Sequence, residues 1–382
     1  MFTIDTLTGS VKIAVIHDKC ADGTASAILL HDVLPDVEIR FVQYGTKAHK
    51  ELKPEPGMLF VDFSPFVDLP KEVIENDPVK VAEVVKPFVD AGAMILDHHK
   101  TAKLVVQAFG DKGRFGDENA DPGVCGAMLV YQHIWLPMTK YYEQQEAEAS
   151  SDGGNDAGYK YGSQYDDAKD FATLAGIRDT WLRKDPRWLE ACYQGEALRF
   201  FPNDHWLAYK NPFVYSNRGW WKEQRALGQL VFEKHQRSLK IAIGGAFRWT
   251  SPRGTRVIMF EGSTMSSDAA EMLDQEVDLV IGFNHFIEEG QTNPILVFST
   301  RSHTHYDCSA LAKYYGGGGH TKAAGFNNNI DLVSADHLTF IPRWTSLNPY
   351  TTFQRAIIHF EDTDPDFLAS RAVEGSTTPS GA

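Results

Sequence analysis

The sequence predicts an α/β protein: an N-terminal doubly wound, mainly parallel sheet, joined by a helical linker to a smaller α/β domain. Three observations predict it. Short apolar runs recur at Lys12-Ile-Ala-Val-Ile16, Met58-Leu-Phe-Val61 and Ala93-Met-Ile-Leu96, with no alternation of polar residues. Runs of this length and character are strands covered on both faces, as in parallel sheets. Segments of helical character follow them, beginning at Thr24 and at Lys71. After a basic, aromatic stretch the strand and helix pattern resumes at about Ile241.

The first strand runs into His17-Asp-Lys-Cys-Ala-Asp-Gly23, and Thr24-Ala-Ser-Ala-Ile-Leu-Leu30 opens a helix. This is a strand, polar turn and helix, with Gly23 permitting tight backbone geometry beside an imidazole and two carboxylates. An acidic helix cap accounts for one acid in this turn but not for His17, Asp18 and Asp22 together. Glu38–Tyr44 reads as a second strand, and Met58–Val61 as a third that ends in Asp62. The stretch from Lys71 to Val89 supplies a crossover helix, and the next strand ends in Asp97-His-His99. Ligands of open α/β sheets bind beyond the carboxyl ends of the strands, so these residues lie where chemistry is usually done.

Further on, Pro122–Tyr131 reads as a loop whose Gly123 and Gly126 open a helix. Residues 141–167 are polar and rich in Gly and Ser, and are expected to form a mobile surface insertion. Helical spacing resumes at Asp170 and ends at Asp179. From His205 to Arg256 Lys and Arg prevail, the only acids being Glu223 and Glu233, and the aromatics include Trp206, Tyr209, Tyr215, Trp220 and Trp221. Basic residues interleaved with aromatics suit single-stranded nucleic acid. A solvated helix with an aromatic underside packed on its neighbours fits the same pattern.

In the second domain Val257–Phe260, Val277–Phe283 and Pro294–Thr300 read as strands, with helices at Ser266–Gln275 and Cys308–Tyr315. The last helix leads into Gly316-Gly-Gly-Gly-His320, where backbone amides can approach an anion closely. The expected boundaries are 1–204 for the first domain, 205–240 for the linker, 241–330 for the second domain and 331–382 for an extension with a disordered end.

Composition narrows the function. The chain has 382 residues and a formal net charge of -14, which argues against wrapping long duplex nucleic acid. Its four cysteines, Cys20, Cys125, Cys192 and Cys308, are widely spaced, unlike a zinc ribbon or a disulfide framework. The N-terminus carries no basic and apolar leader, and no apolar run approaches a membrane span, so a cytoplasmic location is expected.

The polar clusters at the strand and helix ends are His17/Asp18/Asp22, Asp62, Asp97/His98/His99 and Asp179. Carboxylates and imidazoles in this number suit two divalent cations, Mn²⁺ or Mg²⁺, better than thiolate-bound zinc. Asp97-His-His99 followed by Gly316-Gly-Gly-Gly-His320, on separate domains, resembles the DHH/DHHA1 phosphoesterase superfamily of RecJ-like exonucleases, nanoRNases and cyclic dinucleotide phosphodiesterases. The resemblance spans about residues 11–182 and 241–326. It implies that His17, Asp22, Asp62, His98 and Asp179 hold two cations, with Asp62 bridging them. It implies that His99 contacts the scissile phosphate, and that Asp97 ligates or orients its neighbours. In the second domain it implies that Arg301 and His320 hold substrate phosphate, while Gly317, Gly318 and Gly319 let the backbone close in; Ser302 and Lys322 are further candidates.

One motif departs from the family's pattern. The usual Asp-x-Asp-Gly reads Cys20-Ala-Asp-Gly23, and Asp18 is the expected substitute carboxylate, with a Cys20 thiolate as the alternative. The expected activity is metal-dependent hydrolysis of short RNA or single-stranded DNA to mononucleotides, two cations activating a water. Hydrolysis of cyclic or linear dinucleotide signals and processive single-strand degradation are the alternatives. A homodimer is compatible with this plan, and no membrane partner is expected.

Overall fold

The computed structural model describes residues 2–44, 46–65, 69, 71–149, 157–208, 213, 218–273, 276–286, 295–304, 306–328 and 349–365. The chain divides into two compact units, Met1–Glu233 and Lys234–Ala382, the division falling within the helix Arg218–Gly244.

The first unit is built on five parallel strands: β1 (Ile13–His17), β2 (Glu38–Val42), β3 (Met58–Val61), β4 (Met94–Asp97) and β5 (Gly113–Phe115). Their order is β2-β1-β3-β4-β5. The predicted doubly wound sheet is therefore present, and the alternation of side chains along each strand shows why both faces must be covered. Ala14, Ile16, Leu59, Val61 and Leu96 enter one core with Ile28 and Leu29 of the helix Ala21–Val33. Ile13, Val15, Met58, Phe60 and Ile95 enter another with Val81, Val85 and Phe88 of the helix Pro78–Asp90. The helix leaving β1 thus covers one face and the helix leaving β3 the other. The chain's winding reverses between these adjacent strands, which makes their carboxyl ends the sheet's switch point.

Several element boundaries differ from the expectation. The crossover 71–89 is two helices, Lys71–Asn76 and Pro78–Asp90, because Asp77 accepts a hydrogen bond from Lys80 N as the N-cap and Pro78 starts the second helix. The insertion 141–167 is helical over much of its length, in Leu136–Ala149 and Ala157–Asp179, with residues 150–156 outside those described. Its Glu, Gln and Ala are good helix formers, and the Tyr165 hydroxyl donates to Glu143 across the two helices. Of the aromatics in the basic stretch, Trp206 and Trp221 are buried in the first core, and the Trp221 indole donates to Gln194. Tyr209 and Tyr215 lie outside the described residues.

The second unit holds a mixed sheet of β6 (Phe247–Thr250), β7 (Arg256–Glu261), β8 (Leu279–Phe286), β9 (Ile295–Arg301), β10 (Gly318–His320) and β11 (Ala323–Asn328), in the order β10-β11-β9-β8-β7-β6. Only β7 and β8 pair in parallel. Its core extends beyond the expected limit of 330: Ile357 and Phe360 of the helix Pro349–Thr363 are buried with Met259, Ile281 and Phe298. Residues 331–348 and 366–382, and with them the expected disordered end, lie outside the described residues. No described helix is long and apolar enough to cross a membrane.

Candidate metal centre

The switch point gathers the polar residues of three strand ends. His17 is the last residue of β1, Asp62 follows β3, and Asp97, His98 and His99 end β4. Asp62 sits at φ 54°, a left-handed backbone that Asp tolerates better than most residues. Its loop is tied to the end of β4 and to the segment after β2 through Ser64, whose N–H donates to the Tyr44 hydroxyl and whose Oγ donates to Asp97 Oδ2 at 2.9 Å. Asp22 comes from the first turn of the helix Ala21–Val33, which starts hard against β1: a Cβ on Gly23 would lie 2.2 Å from the His17 carbonyl oxygen. Rather than capping its own helix, Asp22 accepts from the N–H groups of Gly126 (2.6 Å) and Ala127 (2.9 Å) at the start of the helix Gly126–Val130. Asp179 is the last residue of the helix Ala157–Asp179.

His98 Nε2 is the hub. It lies 3.3 Å from Asp62 Oδ1, 3.3 Å from Asp179 Oδ2 and 3.8 Å from Asp22 Oδ2. Asp62 Oδ2 faces His17 Nδ1 at 3.5 Å. Three donor groups result: Asp22/His98/Asp179, Asp62/His98/His99 and His17/Cys20/Asp62, each with ligand atoms within 4.8 Å of one another. Asp62 is 1% exposed and His98 3%, yet neither carboxylate oxygen and neither ring nitrogen has a hydrogen bond among the described residues. Buried polar groups are almost always hydrogen-bonded, so orphaned donors of this kind point to an ion. Oxygen and imidazole donors suit hard or borderline divalent cations, and the residues present fit two of them.

The electrostatics agree. Burial, then the charges of Asp62 and Asp179, push Asp22 up to about 7. Burial and Asp62 likewise raise Asp179. Burial opposes ionisation of Asp62, but the His17 and His98 imidazoles hold it below the usual carboxylate range. Burial also disfavours the His98 cation, yet Asp62 and Asp22 raise that ring to about 10. At neutral pH the cluster without cations therefore retains protons that an incoming cation must displace. Lowering the proton concentration favours the cation, so Mn²⁺ affinity is expected to rise between about pH 6 and pH 8, by up to about tenfold per unit for each proton displaced. Calorimetric titration in buffers of different ionisation enthalpy checks this; pH-independent affinity without proton release would place the cation elsewhere.

Other sequence-selected residues fall into distinct positions. Asp97 is fully buried and is not itself a member of a donor group: its Oδ1 accepts from His99 N at 3.0 Å and contacts His99 Nδ1 at 2.8 Å, which fixes that ring's orientation. Burial acts against the His99 cation, but Asp97 raises it to about 9. Asp18 stands outside the three groups. Lys19 takes φ 56°, and the Asp18 carboxylate accepts from Lys19 N and Asn203 Nδ2 instead. Cys20, rather than the Asp18 expected to replace the missing first-motif carboxylate, is the residue grouped with His17 and Asp62 in this structure. Sequence reasoning missed Glu118, whose carboxylate is 3.5 Å from His98 Nδ1, and Trp181, which lines an opening with Asp22 and Asp179 and lies under the Arg178 guanidinium at 4.4 Å. Neither stands in a strand-end pattern that would have marked it.

In the second unit the Arg301 guanidinium is half-buried and held by hydroxyl and carbonyl acceptors: Ser267 Oγ and Ser299 Oγ at 2.9 Å and Thr300 O at 2.8 Å. It has no carboxylate partner among the described residues, and burial lowers its proton affinity. Ser302 is turned inward, its Oγ accepting from Thr304 N. Lys322 is exposed. The glycines also meet packing demands of the strands. Gly316 ends the helix Cys308–Tyr314 at φ 78°. A Cβ on Gly317 or Gly319 would strike β11, 2.3 Å from Gly325 O or 2.5 Å from Ala324 Cα, so these two are needed for strand packing, whereas Gly318 faces open space. His320 pairs with Ala323 in the β10–β11 ladder, and its side chain lies outside the described part.

No family model matches the chain and no curated protein matches its sequence. A search of solved structures returns a pGpG-specific phosphodiesterase from Vibrio cholerae, at 14% identity and TM-score 0.40, covering 92% of this chain and 99% of that one. It also returns RecJ of Thermus thermophilus in complex with Mn²⁺, at 14% identity and TM-score 0.41, covering 94% of this chain and 53% of that one. The DHH domain of a member of the s1p family of ribosomal proteins is similar at 11% identity and TM-score 0.46, covering 84% of this chain and 83% of that one.

Proposed function

We propose that the chain is a metal-dependent phosphodiesterase of the DHH/DHHA1 type that releases mononucleotides from short oligonucleotides, RNA or single-stranded DNA. The observation that carries this reading is the set of buried, orphaned donors at the sheet's switch point, with Asp62 and His98 each shared between donor groups. Two divalent cations, most suitably Mn²⁺, would be held by His17, Asp22, Asp62, His98 and Asp179; when bound they supply an activated water and neutralise charge at phosphorus.

The chain's own residues do the rest. Asp97 ties His99 through Nδ1, which leaves Nε2 of a ring that is 41% exposed to meet a phosphate oxygen. In the second unit Arg301 is the proposed phosphate anchor: a desolvated guanidinium oriented by hydroxyls carries charge that an anion satisfies. A short substrate is favoured because Trp206 and Trp221 are buried rather than available for base stacking, and because Arg225 is paired with Asp170 and Glu190. The net charge of -14 acts in the same direction.

Hydrolysis with Mn²⁺ of end-labelled dinucleotides, pentamers and strands of about two dozen nucleotides, with cyclic dinucleotides in parallel, tests the reading. Preferential cleavage of the short linear substrates is expected. Efficient shortening of the long strands, or cleavage of the cyclic compounds alone, overturns it. Arg301→Ala is expected to raise KM by about ten- to a hundredfold with a smaller change in kcat, as loss of a charge-assisted phosphate contact should. Unchanged KM would remove Arg301 from substrate binding.

A further inference from the structure

Cys20 is the one cysteine that belongs to a donor group among the described residues; Cys125, Cys192 and Cys308 are buried outside the three groups, the Cys125 thiol hydrogen-bonded to the Asp22 carboxylate. It occupies the N-cap position of the helix Ala21–Val33 and makes no capping hydrogen bond with its side chain. Its Sγ lies within 4.8 Å of ligand atoms of His17 and Asp62. A second observation marks the same place as a ligand site. Asp62, 1% exposed, directs Oδ2 towards His17 Nδ1 at 3.5 Å, and neither atom has a hydrogen-bond partner among the described residues. The neighbouring carboxylate, Asp18, is in none of the three donor groups, and its Oδ1 accepts from Lys19 N and Asn203 Nδ2.

We propose that Cys20 supplies a thiolate to the cation position formed with His17 and Asp62, so that the two positions of the centre differ in chemistry. One position has sulfur, nitrogen and oxygen donors; the other, from Asp22, His98 and Asp179, has only nitrogen and oxygen. Asp62 presents Oδ2 to the first and Oδ1 to His98 of the second. As the sulfur–cation bond forms, the thiol proton leaves to solvent, and nothing is oxidised or reduced. Thiolate is a soft donor, so the Cys20 position prefers Co²⁺ or Zn²⁺ over Mn²⁺ or Mg²⁺, while the other position keeps the hard-cation preference of its donors. The inference rests on the dinuclear reading above.

Titration of the full chain with Co²⁺ alone, followed by absorption and by calorimetry, tests it. A thiolate-to-cobalt charge-transfer band in the near ultraviolet is expected, saturating at one thiolate per chain. Cys20→Ser is expected to abolish that band, to weaken cobalt binding at this position by at least about tenfold, and to retain ligand-field bands from the nitrogen and oxygen position. Cys20→Asp is expected to lack the band and to gain affinity for Mn²⁺. For the unaltered chain, Zn²⁺ is expected to slow alkylation of Cys20 by iodoacetamide, a readout that needs no variant to fold. Cobalt bound without the band, a band that persists in Cys20→Ser, or alkylation indifferent to Zn²⁺ overturns the role of Cys20 and leaves the dinuclear reading standing. Absence of any cobalt binding by calorimetry overturns both.

Discussion

Asp62→Asn is expected to lower turnover by at least about a thousandfold while leaving the fold intact. The carboxylate stands between two donor groups, its Oδ1 3.3 Å from His98 Nε2 and its Oδ2 3.5 Å from His17 Nδ1. An amide keeps the shape but presents one oxygen and one NH₂, so only one side retains an acceptor. Asn also tolerates the left-handed backbone at φ 54°, whereas Asp62→Ala would add strain of about 1–2 kcal/mol and confuse stability with chemistry. Steady-state hydrolysis of a dinucleotide, with circular dichroism and calorimetric Mn²⁺ titration, separates these effects. Turnover within about tenfold of the parent would show that Asp62 does not bridge a catalytic pair of cations.

Gly126→Ala is expected to damage the same centre without touching a donor. A Cβ at this position would lie 2.7 Å from Asp62 Cβ, 2.8 Å from Asp22 Oδ2 and 3.0 Å from Ser26 Oγ. Neither carboxylate can yield easily. Asp22 is held by the N–H groups of Gly126 and Ala127, and Asp62 by the loop that Ser64 ties down. Overpacking of this kind costs about 1–3 kcal/mol, and here the displacement falls on ligand geometry. Mn²⁺ affinity should drop at least about tenfold, because small errors in donor position are felt directly in cation binding. Gly318→Ala is the control: its Cβ meets nothing within 4 Å. Equal affinity for the Gly126→Ala and parent proteins would mean that Asp22 and Asp62 do not act together on a cation.

The strand ends were legible in the sequence because their signal is local. A short apolar run flanked by polar turn residues fits a strand interior covered on both faces, and a carboxylate or imidazole that interrupts it then stands at the strand's end. His17, Asp62, Asp97, His98 and His99 were marked in this way, and β1, β3 and β4 bring them together. Asp179 was marked only as a carboxylate at a helix end, and the resemblance to a family added its implied role as a ligand. Sequence also predicted the two α/β parts, since the alternation of strand and helix segments specifies the layers that must cover them.

What the sequence left open was decided by contacts between residues distant along the chain. The setting of Asp18 depends on the backbone turn at Lys19 and on Asn203, 185 positions further on. The Asp97 carboxylate is engaged by Ser64 and by the backbone and ring of His99, partners that the sequence pattern does not specify. The run Gly316–Gly319 carries no periodicity, and its strand exists because β11 pairs with it; two of its glycines are excluded from being anything larger by that same packing. Trp206 and Trp221 read equally well as a nucleic-acid surface or as core, and burial made them core. Local pattern thus determined which residues end the strands and which chemistry they carry. Tertiary structure alone decided their partners, because the position of a donor atom is set by the backbone and side chains packed around it, and these come from elements that sequence proximity does not connect.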